Sequence, residues 1–259
     1  MLLAIDVGNT NLVLALGDVD GGVRDVWRIR TDAISDAATC GELIRRTMGA
    51  ALDEASDAIV ASVVPDVTPH VVDALASVTG TSPLIVGTPG VELGIDVNID
   101  RPEQAGADRL VNAVGAKAHH SLPAIVLDFG TATTLDLVGA DGAYEGGIIA
   151  PGVSLSIDAL ERAAAQLPKL ELRSFEADLP VLGKNTIAAM ESGVFWGYVS
   201  MIDGLLSRLR AAHAGPGDDM QAIMTGGLAG LFASHLAGPV IVDADLTVKG
   251  LFEIFARNR

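Results

Sequence analysis

The stretch AIDVGNTNLVL, residues 4–14, sets one Asp and a Gly-Asn turn between two apolar runs, and VLDFGTATTLDLV, residues 126–138, repeats the arrangement. Each copy reads as strand, tight turn, strand, with a carboxylate near the tip of the first strand. Asp6 matches Asp128, and Gly8 matches Gly130. A single copy is what an Asx-turn between two strands looks like. Two copies at corresponding places in two half-chains imply a duplicated fold.

The rest of the chain follows the same plan. Apolar runs at 2–5, 11–17 and 23–31 predict an antiparallel meander. A helix capped by Ser35 over about 36–54, a strand in DAIVASVV, a helix in PDVTPHVVDALASVTG and a strand in PLIVG come next. After Ala124 the order nearly recurs: strands in AIVLDF, TTLDLVGADG and AYEGGIIAPG, a helix at 154–166, a longer one at 184–213, strand QAIM, a helix at 228–236, strand PVIVD and a closing helix from Val248. The expectation is an α/β protein with two halves, 1–119 and 120–259, each β-β-β-α-β-α-β, and a cleft between them. Asp100 followed by Pro102 predicts that a helix starts there and runs to His119.

With 259 residues and 49% hydrophobic composition, the chain can bury two cores. Its formal net charge of −16 lacks the basic stripes that nucleic acid or anionic membranes require. An anionic ligand must therefore be held by backbone N–H groups, a few placed cations and metal ions. Cys40 is the only cysteine, reads as a small buried filler, and points to a reducing, cytoplasmic setting. Nothing at the N-terminus resembles an export signal, since Asp6 interrupts the apolar run. The uncharged segment 220–242 is broken by Gly226-Gly227, His235 and Gly238-Pro239, so it reads as strand, turn, short helix and strand rather than a membrane span.

The turns suit a polyphosphate. Glycine lets the backbone approach closely, N–H groups and the hydroxyls of Thr10, Thr131 and Thr133 can meet phosphate oxygens, and Asp6 and Asp128 can hold cations. Neither a P-loop nor a strand–GxGxxG–helix fingerprint is present. IMTGGLAG, 224–230, admits two readings: tight strand–helix packing, or bare backbone against which adenine or ribose lies. In GADRLVNAVGA, Asp108 and Arg109 offer a base and a cation beside the small Gly106 and Ala107, as a kinase acting on an alcohol needs. Two adjacent histidines, His119 and His120, diverge on a helix and read as solvent-facing.

Two Asp-Gly hairpins with a Gly-Gly element resemble the superfamily of acetate and sugar kinases, actin and heat-shock chaperone ATPases, whose ribonuclease H-like domains bind ATP in an interdomain cleft. The ordered set DVGNTN, GADRLVNAVGA, LDFGTATT, GGIIAPG, GKNTIAAMESG and TGGLAG covers nearly the whole chain and closely resembles the type III pantothenate kinases. That resemblance implies ATP-dependent phosphorylation of pantothenate, the first committed step toward coenzyme A. It places ATP on Asp6, Val7, Gly8, Asn9, Thr10, Asn11, Leu12, Val13 and Thr131. Substrate falls on Gly106, Ala107, Asp108, Arg109 and Thr186, with Asp108 as proton acceptor. It further implies K⁺ or NH₄⁺ at Asp128, Mg²⁺ reached through water from Asp6, and a homodimer that completes the substrate pocket. Where many members have Tyr, seven residues before Gly106, this chain has Ile99. A sugar kinase of the same superfamily and a non-catalytic transcriptional regulator of the same family are the alternatives. The intact Asp6, Asp108, Arg109 and Asp128 favour an active enzyme over the second.

Overall fold

Alternation in the first strand decides how the N-terminal unit is layered. In β1 (Leu2–Val7), Leu3, Ile5 and Val7 belong to one apolar cluster and Leu2 and Ala4 to another, because successive side chains point to opposite faces. The first cluster includes Cys40 and Ile44 of α1 (Ala37–Met48) and Val71 and Leu75 of α2 (Thr68–Thr79). The second takes in Val111 and Val114 of α3 (Ala107–His119), with Val248, Leu251 and Ile254 of the C-terminal helix, Leu246–Arg257. A five-stranded sheet thus lies between two helical layers. The computed structural model describes residues 1–18, 22–163, 167–170, 179–215 and 219–259.

The sheet runs β3-β2-β1-β4-β5, with β2 (Asn11–Asp18) and β3 (Gly22–Arg30) antiparallel and β4 (Asp57–Ser62) and β5 (Leu84–Ile85) parallel. The second sheet repeats this order as β8-β7-β6-β9-β10, from β6 (Ala124–Phe129), β7 (Ala132–Val138), β8 (Tyr144–Pro151), β9 (Gln221–Gly226) and β10 (Ile241–Val242). Here too β9 runs parallel to β6, and β10 to β9. The expected duplication is present. The second half differs in having two helices after its meander, α4 (Val153–Ala163) and α5 (Thr186–His213), before α6 (Ala229–Phe232) and the closing α7, Leu246–Arg257.

Two compact units result: Met1–Leu122 with Leu137–Gly146 and Asp245–Arg259, and Pro123–Asp136 with Gly147–Ala244. A cut at 119/120 therefore leaves α7 with the wrong partner. Close packing explains why α7 returns: a Cβ on Gly250 would meet Val111 O at 2.1 Å, and one on Gly115 would meet Leu246 O at 2.6 Å. Only glycine at both positions lets α3 and α7 come this near.

Element ends shift from expectation for local reasons. Asp36, not Ser35, caps α1 by accepting the Thr39 N–H at 2.7 Å, and Gly49 at φ +56° ends it, leaving 49–54 as a 3-10 segment. No single helix spans 100–119: Pro102–Gln104 is a 3-10 turn, Ala105 is extended, and α3 starts after Gly106. Asn185 caps α5 through Ala188 N–H (2.9 Å), so that helix begins at Thr186 rather than Lys184. The expected helix over 228–236 divides into α6 and a 3-10 turn, Ala233–His235. Residues 164–166 of the expected 154–166 helix lie outside the described residues. Segment 220–242 forms strand, short helices and strand, and no described helix is long and apolar enough to cross a membrane.

Candidate active site

Both acidic turns are built by the same burial rule. In β1 and in β6 every residue is buried except the fifth, which is Asp6 in one and Asp128 in the other. A carboxylate is tolerated there because the fifth residue lies near the C-terminal end of a central strand, where it is only partly buried. In the first turn, Gly8 N–H donates to Asn11 O at 3.0 Å, and Asn9, Thr10 and Asn11 are exposed. Thr31, four per cent exposed, ties the turn down: its hydroxyl donates to Gly8 O (2.7 Å) and its amide to Thr10 O (3.0 Å).

The same unit brings this turn near the candidate base. Asp6 shares its sheet face with Leu2 and Ala4, the face covered by α3 and α7. Val63, just past β4, donates its amide to Val7 O at 3.1 Å, and its Cγ1 lies 3.6 Å from where a Gly106 Cβ would sit. Gly106 is the N-cap of α3, which puts Asp108 and Arg109 in the first turn of that helix. Asp108 Oδ1 accepts the Arg109 N–H at 2.8 Å, orienting the carboxylate, and a Cβ on Gly106 would strike that oxygen at 2.6 Å. The Arg109 guanidinium lies 5.6 Å from the centre of the buried Tyr144 ring, a cation–π contact that fixes it. Ile99 packs close to Gly146, which sits at φ +104°.

The second turn is shorter. Gly130 N–H donates to Ala132 O at 3.1 Å, leaving Gly130 and Thr131 exposed. Gly226 sits at φ +88° against Asp128: a Cβ there would lie 2.7 Å from Oδ1. The Gly227 and Gly230 positions have nothing within 4 Å of a notional Cβ, so TGGLAG packs tightly at its first glycine and leaves the backbone open at the next two. Thr133 departs from expectation. It is fully buried and its hydroxyl is bonded to that of Tyr198, so it faces the interior and not a phosphate.

Thr186 lies elsewhere in the second unit, at the start of α5. It lines a groove of about 890 Å³ together with Pro151, Lys184, Asn185, Gly193 and Gly197. Large apolar side chains on the segments beside the groove are open to solvent: Val181 is 73% exposed, Leu182 77% and Ile149 65%.

Comparison with known proteins decides the family. Residues 2–208 match the family model described as type III pantothenate kinase. The chain belongs to the type III pantothenate kinases. It is 46% identical over 261 residues to the type III pantothenate kinase of Paramagnetospirillum magneticum, covering 100% of this chain and 98% of that one. Against the Rhodospirillum centenum protein of the same name the identity is 47% over 264 residues, covering 100% and 99%. Among solved structures, one from Campylobacter jejuni, whose description suggests a Baf family transcriptional activator, superposes with a TM-score of 0.62 at 18% identity over 99% and 98% of the two chains. The activator of 2-hydroxyisocaproyl-CoA dehydratase from Clostridium difficile, with bound ADPNP, gives 0.54 at 11% identity over 98% and 93%. These two likenesses establish the fold, a duplicated ribonuclease H-like one.

Kinases of this family work on ATP with a divalent metal, and the donor set fits a metal that arrives with its nucleotide. Among the described residues no three His, Cys, Asp or Glu side chains come together to form a cage of their own. The first turn instead offers one partly exposed carboxylate, Asp6, which suits a hydrated divalent cation whose remaining ligands are phosphate oxygens and water. Reading the motifs alone missed three supporting residues: Thr31, Tyr144 and Tyr198. Thr31 was findable, because the β2–β3 register pairs Asn11 with Arg30 and so sets the next residue beside Thr10. Tyr144 sits 35 positions from Arg109 and Tyr198 65 from Thr133, distances over which no local pattern pairs residues.

Proposed function

We propose that this chain transfers the γ-phosphoryl group of ATP to the primary hydroxyl of pantothenate, giving 4′-phosphopantothenate in coenzyme A biosynthesis. The observation that carries the reading is the Asp108 carboxylate, oriented at the head of α3 beside an anchored Arg109, in a chain of this family. Asp108 accepts the hydroxyl proton as that oxygen attacks phosphorus in line, and Arg109 positions the anionic acceptor. Gly106 and Ala107 leave room for the substrate chain. N–H groups of the turn within Asp6–Val13 and the exposed Thr131 bind the triphosphate. Magnesium offsets phosphate charge when bound, with Asp6 holding one of its waters, and Asp128 holds K⁺ or NH₄⁺.

Two further assignments belong to the same reading. Thr186 contacts pantothenate, and the α5 face bearing Gly193 and Gly197 meets a second copy, making a homodimer. Their support is the open apolar groove: neither glycine has an atom within 4 Å of a notional Cβ. The cytoplasm is the expected location. Ile99, packed near Gly146, limits contact with the substrate there to apolar surface.

The test is ADP release by the purified protein with pantothenate, with and without K⁺ or NH₄⁺. Pantothenate-dependent release stimulated by either ion is expected. Release with a sugar and not with pantothenate overturns the substrate, and equal release without the ions overturns the role of Asp128.

A further inference from the structure

The second turn is gripped from three sides within its own unit. Gly152 presses on it from below, since a Cβ there would come within 2.2 Å of Thr131 O and 2.9 Å of Gly130 O. Gly226 abuts Asp128. The third contact is polar and comes from α5: the hydroxyls of Tyr198 and Thr133 share a hydrogen bond, with both residues buried. The Tyr198 ring is itself held, 4.8 Å from the Phe232 centroid and 6.1 Å from that of Phe129. Burial, with the Asp128 charge adding to it, pushes the phenol up to about 12, so it stays protonated at neutral pH.

Packing alone does not call for this phenol. A phenylalanine would fill the aromatic cluster without desolvating a hydroxyl, and a buried hydroxyl is costly unless it is bonded. What the hydroxyl adds is a fixed point for Thr133, two residues from Thr131 and five from Asp128. The first turn has its own fixed point of the same kind in Thr31. A turn whose amides must meet phosphate oxygens gains affinity when its geometry is set before the ligand arrives.

We infer that Tyr198 is a positioning residue for the nucleotide: through Thr133 it holds the Gly130-Thr131 turn and Asp128 in the arrangement that receives the phosphates. The inference rests on the reading of this chain as an ATP-dependent kinase with Thr131 as a nucleotide contact. Tyr198 also borders the α5 groove, but its hydroxyl is turned to Thr133, so the residue is assigned no hydrogen bond to pantothenate and no proton transfer.

The experiment compares Tyr198→Phe, Thr133→Val and the double variant, full length, by calorimetric titration with MgADP and by steady-state kinetics. Each single change is expected to weaken ADP binding and raise KM for ATP roughly five- to tenfold, the loss of about one hydrogen bond. KM for pantothenate should stay close to wild type, while each single variant, which leaves one buried hydroxyl unbonded, should melt somewhat lower. The double variant should be no weaker than the worse single, because all three lose the same bond. Wild-type ADP affinity in the double variant, or an equal rise in both KM values, overturns the inference. Should Tyr198→Phe fail to fold, Thr133→Val carries the same comparison. A wild-type protein that binds ADP but shows no pantothenate-dependent turnover instead overturns the functional reading, and leaves the ADP comparison intact.

Discussion

Asp108 is acidic by type, and its proposed role as base rests on placement. On a solvated helix face it would be an ordinary charge; at the head of α3, with Oδ1 held by the Arg109 amide, it is an oriented carboxylate, as the proposed base must be. Asp108→Asn keeps the shape and the cap-side hydrogen bond but cannot take a proton. We expect an unchanged melting curve and a rate lower by about 10²–10⁴, read by ADP release. Cys40 makes the opposite case. It is one per cent exposed and its thiol is pushed up to about 11 by burial, so it is a filler and not a nucleophile. At pH 8 it should resist a thiol reagent in the native protein and react promptly once unfolded. Acid should act through exposed carboxylates: Arg24 holds Glu54 below its ordinary 4.5, Arg30 holds Asp32 below 3.8, and the Thr39 N–H holds Asp36 below the same value. Because their folded values are depressed, their contribution is complete above the ordinary values and fades as pH falls through the lower folded ones. The melting temperature should therefore be flat above about pH 5 and decline in acid, less steeply in Glu54→Gln.

At the scale of elements, the two turns carry the signal that sequence could transmit, because a strand–turn–strand unit is local. Asp6 and Asp128 occupy the same position in two strands with the same burial pattern. What holds each turn is remote. Thr31 reaches back to the first turn across β2–β3, while Gly152, Tyr198 and Gly226 reach the second from after β8, from within α5 and from the end of β9. Gly226→Ala would put a Cβ 2.7 Å from Asp128 Oδ1 at φ +88°. It should cost about 1–3 kcal/mol of stability in denaturant titration and weaken nucleotide binding as well. Gly250→Ala tests the α3–α7 packing: overlap with Val111 O, about one turn beyond Asp108, should cost at least about 1–3 kcal/mol in denaturant titration.

For the whole molecule, the question is what covers the α5 groove. Exposed Val181, Leu182 and Ile149 beside open glycines are what a second copy would bury. Sedimentation at micromolar concentration should show a dimer, and Gly197→Glu should shift it to a folded monomer with a raised KM for pantothenate; a monomeric wild type contradicts the assignment. The sequence by itself determined the duplicated strand order, the two acidic turns and the family, since each is written in short contiguous motifs or in the period of apolar residues. The helix starts were less legible: a Pro at 102 suggests a helix, yet the extended Ala105 and Gly106 delay it to Ala107. Only the tertiary structure returned α7 to the N-terminal unit, turned the Thr133 hydroxyl inward to Tyr198 and seated Arg109 on Tyr144. Those outcomes depend on contacts between residues from 35 to more than 130 positions apart, and such contacts are selected by shape and hydrogen-bond satisfaction in the folded core, which no local pattern encodes.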